Sequence, residues 1–217
     1  LLARQYYQMT SILIKAKVDF NALCDQVLPG MQELMSDHAG RHKLSDFVLR
    51  YHHTAHILKM GETRFRKDYC KWAEKKGYRN CERMAALIFA TAQNGIPVLP
   101  NAPSTQIVIT EAIRVLHTVE ASRDAILTQM QALAKTLPEY SLVREMPCIG
   151  DTLAPRLIAE IGDVRRFHSK RALIAYAGID APPYQSGKFC ANNRHISKRG
   201  NRYLRKTGYE VMQSYVM

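Results

Sequence analysis

The sequence predicts a mainly α fold: two long coiled-coil-like helices, a small basic helical region between them, and a C-terminal region containing a helix-hairpin-helix. Three observations carry this prediction. Apolar residues recur at spacings of 3 and 4 through the first 27 residues. Pro and Gly breakers divide the remainder into helix-length pieces, and alternating strand patterns are nearly absent.

The first stripe is Leu2, Tyr6, Met9, Leu13, Ala16, Phe20, Leu23 and Val27, and Pro29-Gly30 ends it. Such spacing makes a coiled-coil seam or a bundle helix. Residues 44 to 93 read as several shorter helices punctuated by Gly61 and Gly77. Ala85, Ala86, Leu87, Phe89 and Ala90 form their buried run. After the breaker run IPVLPNAP at 96 to 103, a second long helix is expected from Ser104 to Leu137. Its stripe is Ala112, Leu116, Val119, Ile126, Met130, Leu133 and Leu137, interrupted by Arg123. The expected organisation is therefore 1–30 and 104–140 as paired long helices, 31–103 as the basic helical region, and 141–217 as the C-terminal domain.

LVREMPCIGDTLAPRLIAEIGDVRRF has the layout of a helix-hairpin-helix. One helix ends near Met146, Pro147 to Gly150 turns, and Asp151 or Thr152 caps a helix running to Glu160. Hairpins of this kind hold nucleic acid because the turn and the next helix N-terminus aim backbone N–H groups at a phosphate. Ile149 and Gly150 would supply those groups. The usual hairpin has Gly where this chain has Cys148, and the plain alternative is a corner that packs the core. Leu173 to Tyr176 form a further short helix closed by Gly178.

The formal charge of +12 is concentrated in two places. Residues 41 to 83 carry 12 basic and 5 acidic side chains, and 155 to 217 carry 12 and 4, while the other segments are slightly acidic. Localised positive charge suits a polyanion, because neutralising phosphates releases condensed counterions. A membrane surface fits less well, since neither segment reads as a basic amphipathic helix. At 47% hydrophobic the chain can bury a core, and it has neither an apolar run long enough for a membrane span nor a signal peptide. Five cysteines without CxxC spacing suggest reduced thiols in a cytoplasmic protein. His52 and His56 share a helix face, with His53 beside them, but no carboxylate or Cys at helical spacing completes a metal site.

PPYQSGKFCANNRHISKRGNRYLRK, from Pro182 to Lys206, holds seven Lys or Arg and no acid. Lys188, Arg194, Lys198, Arg199 and Arg202 are its candidates for phosphate contact, and Lys198, Arg202 and Arg205 suggest one basic helix face after the Gly200-Asn201 turn. Tyr184, Phe189 and Tyr203 either stack on bases or pack. Ser186 is a possible nucleophile, or simply part of a common Ser-Gly turn. Ser197 is its rival, read as the N-cap or a phosphate contact of the next helix.

The order P-x-I-G, A-E-I-G-D, R-F, A-Y-A-G-I, Q-S-G-K and I-S-K-R-G-N-x-x-L-R resembles the C-terminal half of insertion-sequence transposases that pair a serine with a DEDD, RuvC-like half. It also resembles the related Piv-type DNA invertases. The resemblance is strong over about 140–217 and looser before that. It implies DNA transposition or site-specific recombination, with Ser186 as the nucleophile, Gly187 letting backbone approach a phosphate, and Lys188, Arg194, Lys198, Arg199, Asn201, Arg202 and Arg205 on DNA. The family's acidic quartet, which would hold divalent metal (Mg), has no counterpart here, and the chain begins at Leu1 already in helical register. The expectation is the later part of a transposase, binding DNA without cutting it in the absence of the RuvC-like half. An element-encoded guide RNA is implied as a partner, and the coiled-coil seams of the long helices point to a homo-oligomer, dimer or tetramer. The alternative is a non-catalytic helix-hairpin-helix DNA-binding module, or a decayed remnant.

Overall fold

In the computed structural model, residues 1–35, 42–78, 81–182, 185–186, 189–190 and 195–216 are described, the two pairs at 185–190 by backbone only. The fold is mainly α. Its elements in order are α1 (Leu2–Val27), α2 (Met31–Met35), α3 (Lys43–Tyr51), α4 (Thr54–Met60), α5 (Glu62–Lys76), α6 (Cys81–Asn94) and α7 (Pro103–Lys135). Then follow α8 (Glu139–Glu145), α9 (Leu153–Ile161), a 3-10 turn at Val164–Arg166, α10 (Lys170–Ala177) and α11 (Arg202–Val216). Between α10 and α11, β1 (Gln185–Ser186) and β2 (Phe189–Cys190) form a two-residue antiparallel pairing. Among the described residues no helix is long and apolar enough to cross a membrane.

The chain divides into two compact units: 1–10 with 122–217, and 11–121. Both boundaries fall inside the long helices α1 and α7 rather than in the breaker segments. In the unit 11–121, Leu13, Phe20, Cys24 and Val27 of α1 and Ile109, Ile113 and Leu116 of α7 enter one buried cluster. Phe47 and Tyr51 of α3, Phe65, Tyr69 and Trp72 of α5, and Ile88 and Phe89 of α6 join it. The rings meet edge-on or tilted, as for Tyr51 and Phe65 with centroids 5.2 Å apart, the arrangement their quadrupoles favour.

Glycine punctuation falls where expected. Gly30, Gly61 and Gly77 have φ of +76°, +73° and +76°, and Gly77 closes α5 in the left-handed conformation. The buried faces differ in detail from the expected stripes. In its first turns α1 buries Ala3 and Tyr7, not Leu2 and Tyr6. A helix that serves two units takes each unit's own partner face, so a single continuous stripe is not required. On α7, Ile109, Ile113, Met130 and Ala134 are buried while Leu133 stands exposed, as does Leu137 just past the helix end. On α6 Leu87 and Ala90 face outward and Ile88 inward, as the 3.6-residue period demands.

Six of the 12 Lys and Arg of 41–83 lie on one helix. α5 buries Phe65, Tyr69, Trp72 and Ala73, and its outer face carries Arg64, Arg66, Lys67, Lys71, Lys75 and Lys76. Glu62 pairs with Arg66 and Asp46 with Lys76, leaving a surplus of cations on that face. His53, part of the histidine cluster, is structural: its Nδ1 accepts from the Ala55 amide at the start of α4 and its Nε2 meets the Leu99 carbonyl. His52 and His56 stack with centroids 5.0 Å apart, and burial holds the His52 imidazole below its ordinary pKa. Among the described residues no three His, Cys, Asp or Glu converge as a metal site.

Candidate nucleic-acid interface

α8 and α9 are joined by a tight turn at 146–152. Cys148 has φ +64°, the left-handed conformation that Gly adopts without cost and that a Cβ disfavours. Ile149 is buried, and its carbonyl accepts from Arg144 of α8. The exposed Gly150 gives its carbonyl to the Leu153 and Ala154 amides, starting α9.

The expected side-chain cap is not made. Thr152 sits at the N-cap without a side-chain hydrogen bond. Asp151 turns back instead and accepts from the Tyr140 hydroxyl at 2.9 Å, with Arg144 Nε 3.1 Å from the same oxygen. Both partners lie on α8, where they compete with the α9 amides for this carboxylate.

α10 begins at Ser169, whose hydroxyl accepts from the Ala172 amide, and ends at left-handed Gly178. The chain just after α10 and the segment before α11 are joined backbone to backbone. Ser197 N donates to Asp180 O, Lys198 N to Gly178 O, and Asn201 N to Tyr176 O, at 2.8, 3.0 and 2.6 Å. Only glycine fits this approach: a Cβ on Gly178 would lie 2.6 Å from Gly200 N. The Ser197 hydroxyl donates to Asp180 Oδ1 at 2.5 Å. Residues 181–196, including Ser186, are thus an excursion whose base is fastened by Asp180 and Ser197.

Asn201 is the strut beneath this base. Its Oδ1 accepts from the Tyr203 and Leu204 amides, capping α11, and its Nδ2 donates to Glu160 Oε2 at 2.8 Å and reaches the Tyr176 hydroxyl. Ser197 was the expected cap; Asn201 takes that role because it lies directly before the helix. Glu160, buried near the end of α9, therefore has a polar partner. Arg166 lies over the Tyr176 ring at 4.5 Å, and hydrogen bonds from Arg166 and then Asn201 hold the Tyr176 phenol below its ordinary pKa.

α11 also meets the first turns of α1. The buried Arg156 of α9 donates to the Tyr7 hydroxyl at 2.8 Å, pairs with Glu210 at 2.5 Å, and lies 4.6 Å from the Tyr7 ring centroid. Tyr7 in turn hydrogen-bonds Thr207. Burial opposes the Arg156 charge, but the Tyr7 hydrogen bond and Glu210 outweigh it and raise the guanidinium pKa.

The sequence-expected site residues fall in three groups. Lys198, with φ +55°, Arg199 and Arg202 are exposed on or beside the start of α11. Asn201 and Arg205 face inward: Asn201 is engaged as above, and Arg205 Nη1 donates to Ala177 O at 2.8 Å. Arg205 thus leaves the basic face expected of it and ties α11 to the end of α10. Ser186 is described only as a backbone, paired with Phe189. Gly187, Lys188, Arg194 and Tyr184 lie outside the described residues.

Sequence reading missed Arg4, Tyr7, Arg156, Glu160 and Arg166. Glu160 carried the one usable signal, a carboxylate inside the otherwise apolar IAEI. The others depend on contacts distant in sequence.

Comparison with known proteins bears on the same segment. Residues 140–217 match the family model described as Transposase IS116/IS110/IS902 family. Over 184 residues, 85% of this chain and 44% of the relative, the chain is 25% identical to an uncharacterized 43.6 kDa protein of insertion element IS110 from Streptomyces coelicolor. Over 81 residues, 36% of this chain and 21% of the relative, it is 33% identical to the transposase for insertion sequence element IS1111A from Coxiella burnetii. The chain spans less than half the length of these relatives. No solved structure matches it. Over its C-terminal segment, 140–217, the chain is thus similar to the IS116/IS110/IS902 transposase family.

Proposed function

We propose that this chain is the DNA-binding, serine-bearing part of a transposase or site-specific recombinase. The observation that carries the reading is the family match over 140–217, which spans the fastened base of the Ser186 excursion and the exposed cations beside it. Ser186 Oγ would attack a DNA phosphodiester. A bond from Oγ to phosphorus forms, the bond to one DNA oxygen breaks, and that oxygen leaves as a hydroxyl carrying the proton. One phosphate ester replaces another, so the strand is rejoined without an external energy source.

A serine hydroxyl is a weak nucleophile and needs help with its proton, and the crowded phosphorus needs cations around it. Lys188, Arg194, Lys198, Arg199 and Arg202 would supply that charge, with guanidinium favoured where two phosphate oxygens are held at once. Gly187 would let backbone approach the phosphate, and the 146–152 turn, through Ile149 and Gly150, would offer backbone donors to a neighbouring phosphate.

The family resemblance implies divalent metal. Among the described residues no three His, Cys, Asp or Glu converge to fit one, and no step is drawn through it; by that resemblance the acidic residues that would hold it belong to a RuvC-like half. On this reading the chain alone binds DNA without cutting it. The outer face of α5 would hold a second polyanion, for which an element-encoded guide RNA is the candidate, and the long helices would join copies of the protein as a dimer or tetramer. With DNA as the partner and the resemblance to insertion-sequence transposases, the location would be bacterial and nucleoid-associated.

The test is binding of the purified chain to duplex DNA over a range of salt, read by fluorescence anisotropy. Affinity should fall steeply with salt. Affinity indifferent to salt would reject the DNA-binding reading, and metal-dependent cleavage by this chain alone would reject the placement of the metal site elsewhere.

A further inference from the structure

Residues 1 to 40 carry 3 basic and 4 acidic side chains, so nothing in the charge of that segment marks it for a polyanion. The fold brings one of those cations to α11. Arg4, in the first turn of α1, stands with its guanidinium carbon 5.6 Å from the Tyr203 ring centroid, and Arg202 lies 4.7 Å from the same ring. Arg202 also donates to the Tyr203 hydroxyl at 2.7 Å. Lys206, four residues along α11 and so on the same helix face, lies 5.1 Å from the Tyr7 ring centroid, and the two tyrosine centroids are 5.2 Å apart.

All three cations are exposed, and none is ion-paired among the described residues. The nearby acid, Glu210, is already paired with the buried Arg156. Two tyrosines thus back three free positive charges drawn from the two ends of the chain.

We infer that Arg4, Arg202 and Lys206 form one phosphate-binding patch for the backbone of duplex DNA, assembled only when the first turn of α1 docks on α11. The inference rests on the proposed DNA-binding function and adds Arg4 to it. Backbone phosphate is the fitting chemistry because the ring of Tyr203 is already covered by guanidinium groups, which leaves charge rather than open aromatic face for the ligand. Arg4 and Arg202 present forked donors suited to phosphate oxygens, and Lys206 adds a point charge. Such a patch positions DNA and reads no sequence.

The test uses the purified chain with fluorescein-labelled duplexes of two unrelated sequences, and a single-stranded RNA of matched length. Each lost phosphate contact lowers the slope of log affinity against log salt by about 0.9 on B-DNA. Arg4→Gln should show that loss on both duplexes equally, Arg4→Lys should restore the slope, and Lys15→Gln, further along α1, should keep the wild-type slope. A wild-type slope in Arg4→Gln, with wild-type binding intact, overturns this inference alone. A loss confined to RNA overturns it as well, while salt-independent binding by the wild type overturns the proposed function itself.

Discussion

Gly200 packs its backbone against the Tyr176 carbonyl so closely that a Cβ at position 200 would overlap the carbonyl oxygen. The obstructing atom is backbone, which cannot swing aside as a flexible side chain would. Gly200→Ala should therefore destabilise the protein by about 1–3 kcal/mol or more, as other overpacked sites do. Urea denaturation checks this, and an unchanged midpoint would mean that the Tyr176 and Gly200 segments are not joined as described.

Such close approaches show what the sequence made legible. The breakers at Pro29-Gly30, Gly61, Gly77 and Gly178 were readable because a left-handed turn is a local demand that glycine meets without neighbours. Helix positions were readable from apolar spacing. Which face of α1 is buried was not, because Tyr7 is held by Arg156 of α9 and Thr207 of α11, about 150 or more residues away. For the same reason Arg205 reads as a phosphate ligand in the sequence, while in the fold it holds the Ala177 carbonyl.

Asn201 should behave as a structural strut. Asn201→Ala removes the α11 cap, worth about 1 kcal/mol, and leaves the buried Glu160 without its amide donor, worth a further 1–3 kcal/mol or so. Asn201→Asp keeps the cap acceptor but sets a second carboxylate against Glu160. That repulsion raises the carboxyl pKa of the pair, so the Asp variant should regain stability as pH falls through the carboxylate range. Thermal melts of both variants across pH report the difference, and identical pH profiles would count against the Glu160 contact.

Cys148 pays for its left-handed backbone. Cys148→Gly should stabilise the protein by about 1 kcal/mol, and Cys148→Val should destabilise it, since a β-branched residue is less tolerant of positive φ. Melting temperatures that rank Val above Cys, or Cys above Gly, would contradict the turn geometry.

Two histidines predict the pH dependence of the 11–121 unit. Burial, with His42 next in effect, holds His117 below the ordinary value of 6.5, and burial, with His56 and His53 next, does the same for His52. The folded state therefore favours the neutral rings, and the unfolded chain takes up protons first as pH falls. The stability they contribute is intact above about pH 6.5 and is lost progressively below it. His117 Nε2 is 2.9 Å from the Ser45 hydroxyl. His117→Gln keeps a polar group at that contact and should flatten the pH profile measured by guanidinium denaturation. A profile as steep as the wild type's would remove His117 from the account.

The central claim is that Ser186, in the excursion fastened by Asp180 and Ser197, is the attacking group in the full-length parent enzyme. Trapping of a covalent protein–DNA adduct by that enzyme, with metal supplied, tests it most directly. The adduct should form with wild type, disappear with Ser186→Ala, and persist with Ser197→Ala, whose hydroxyl donates to Asp180 and accepts from the Arg199 amide. An adduct that survives Ser186→Ala, or that is lost with Ser197→Ala while the protein remains folded, would contradict the assignment.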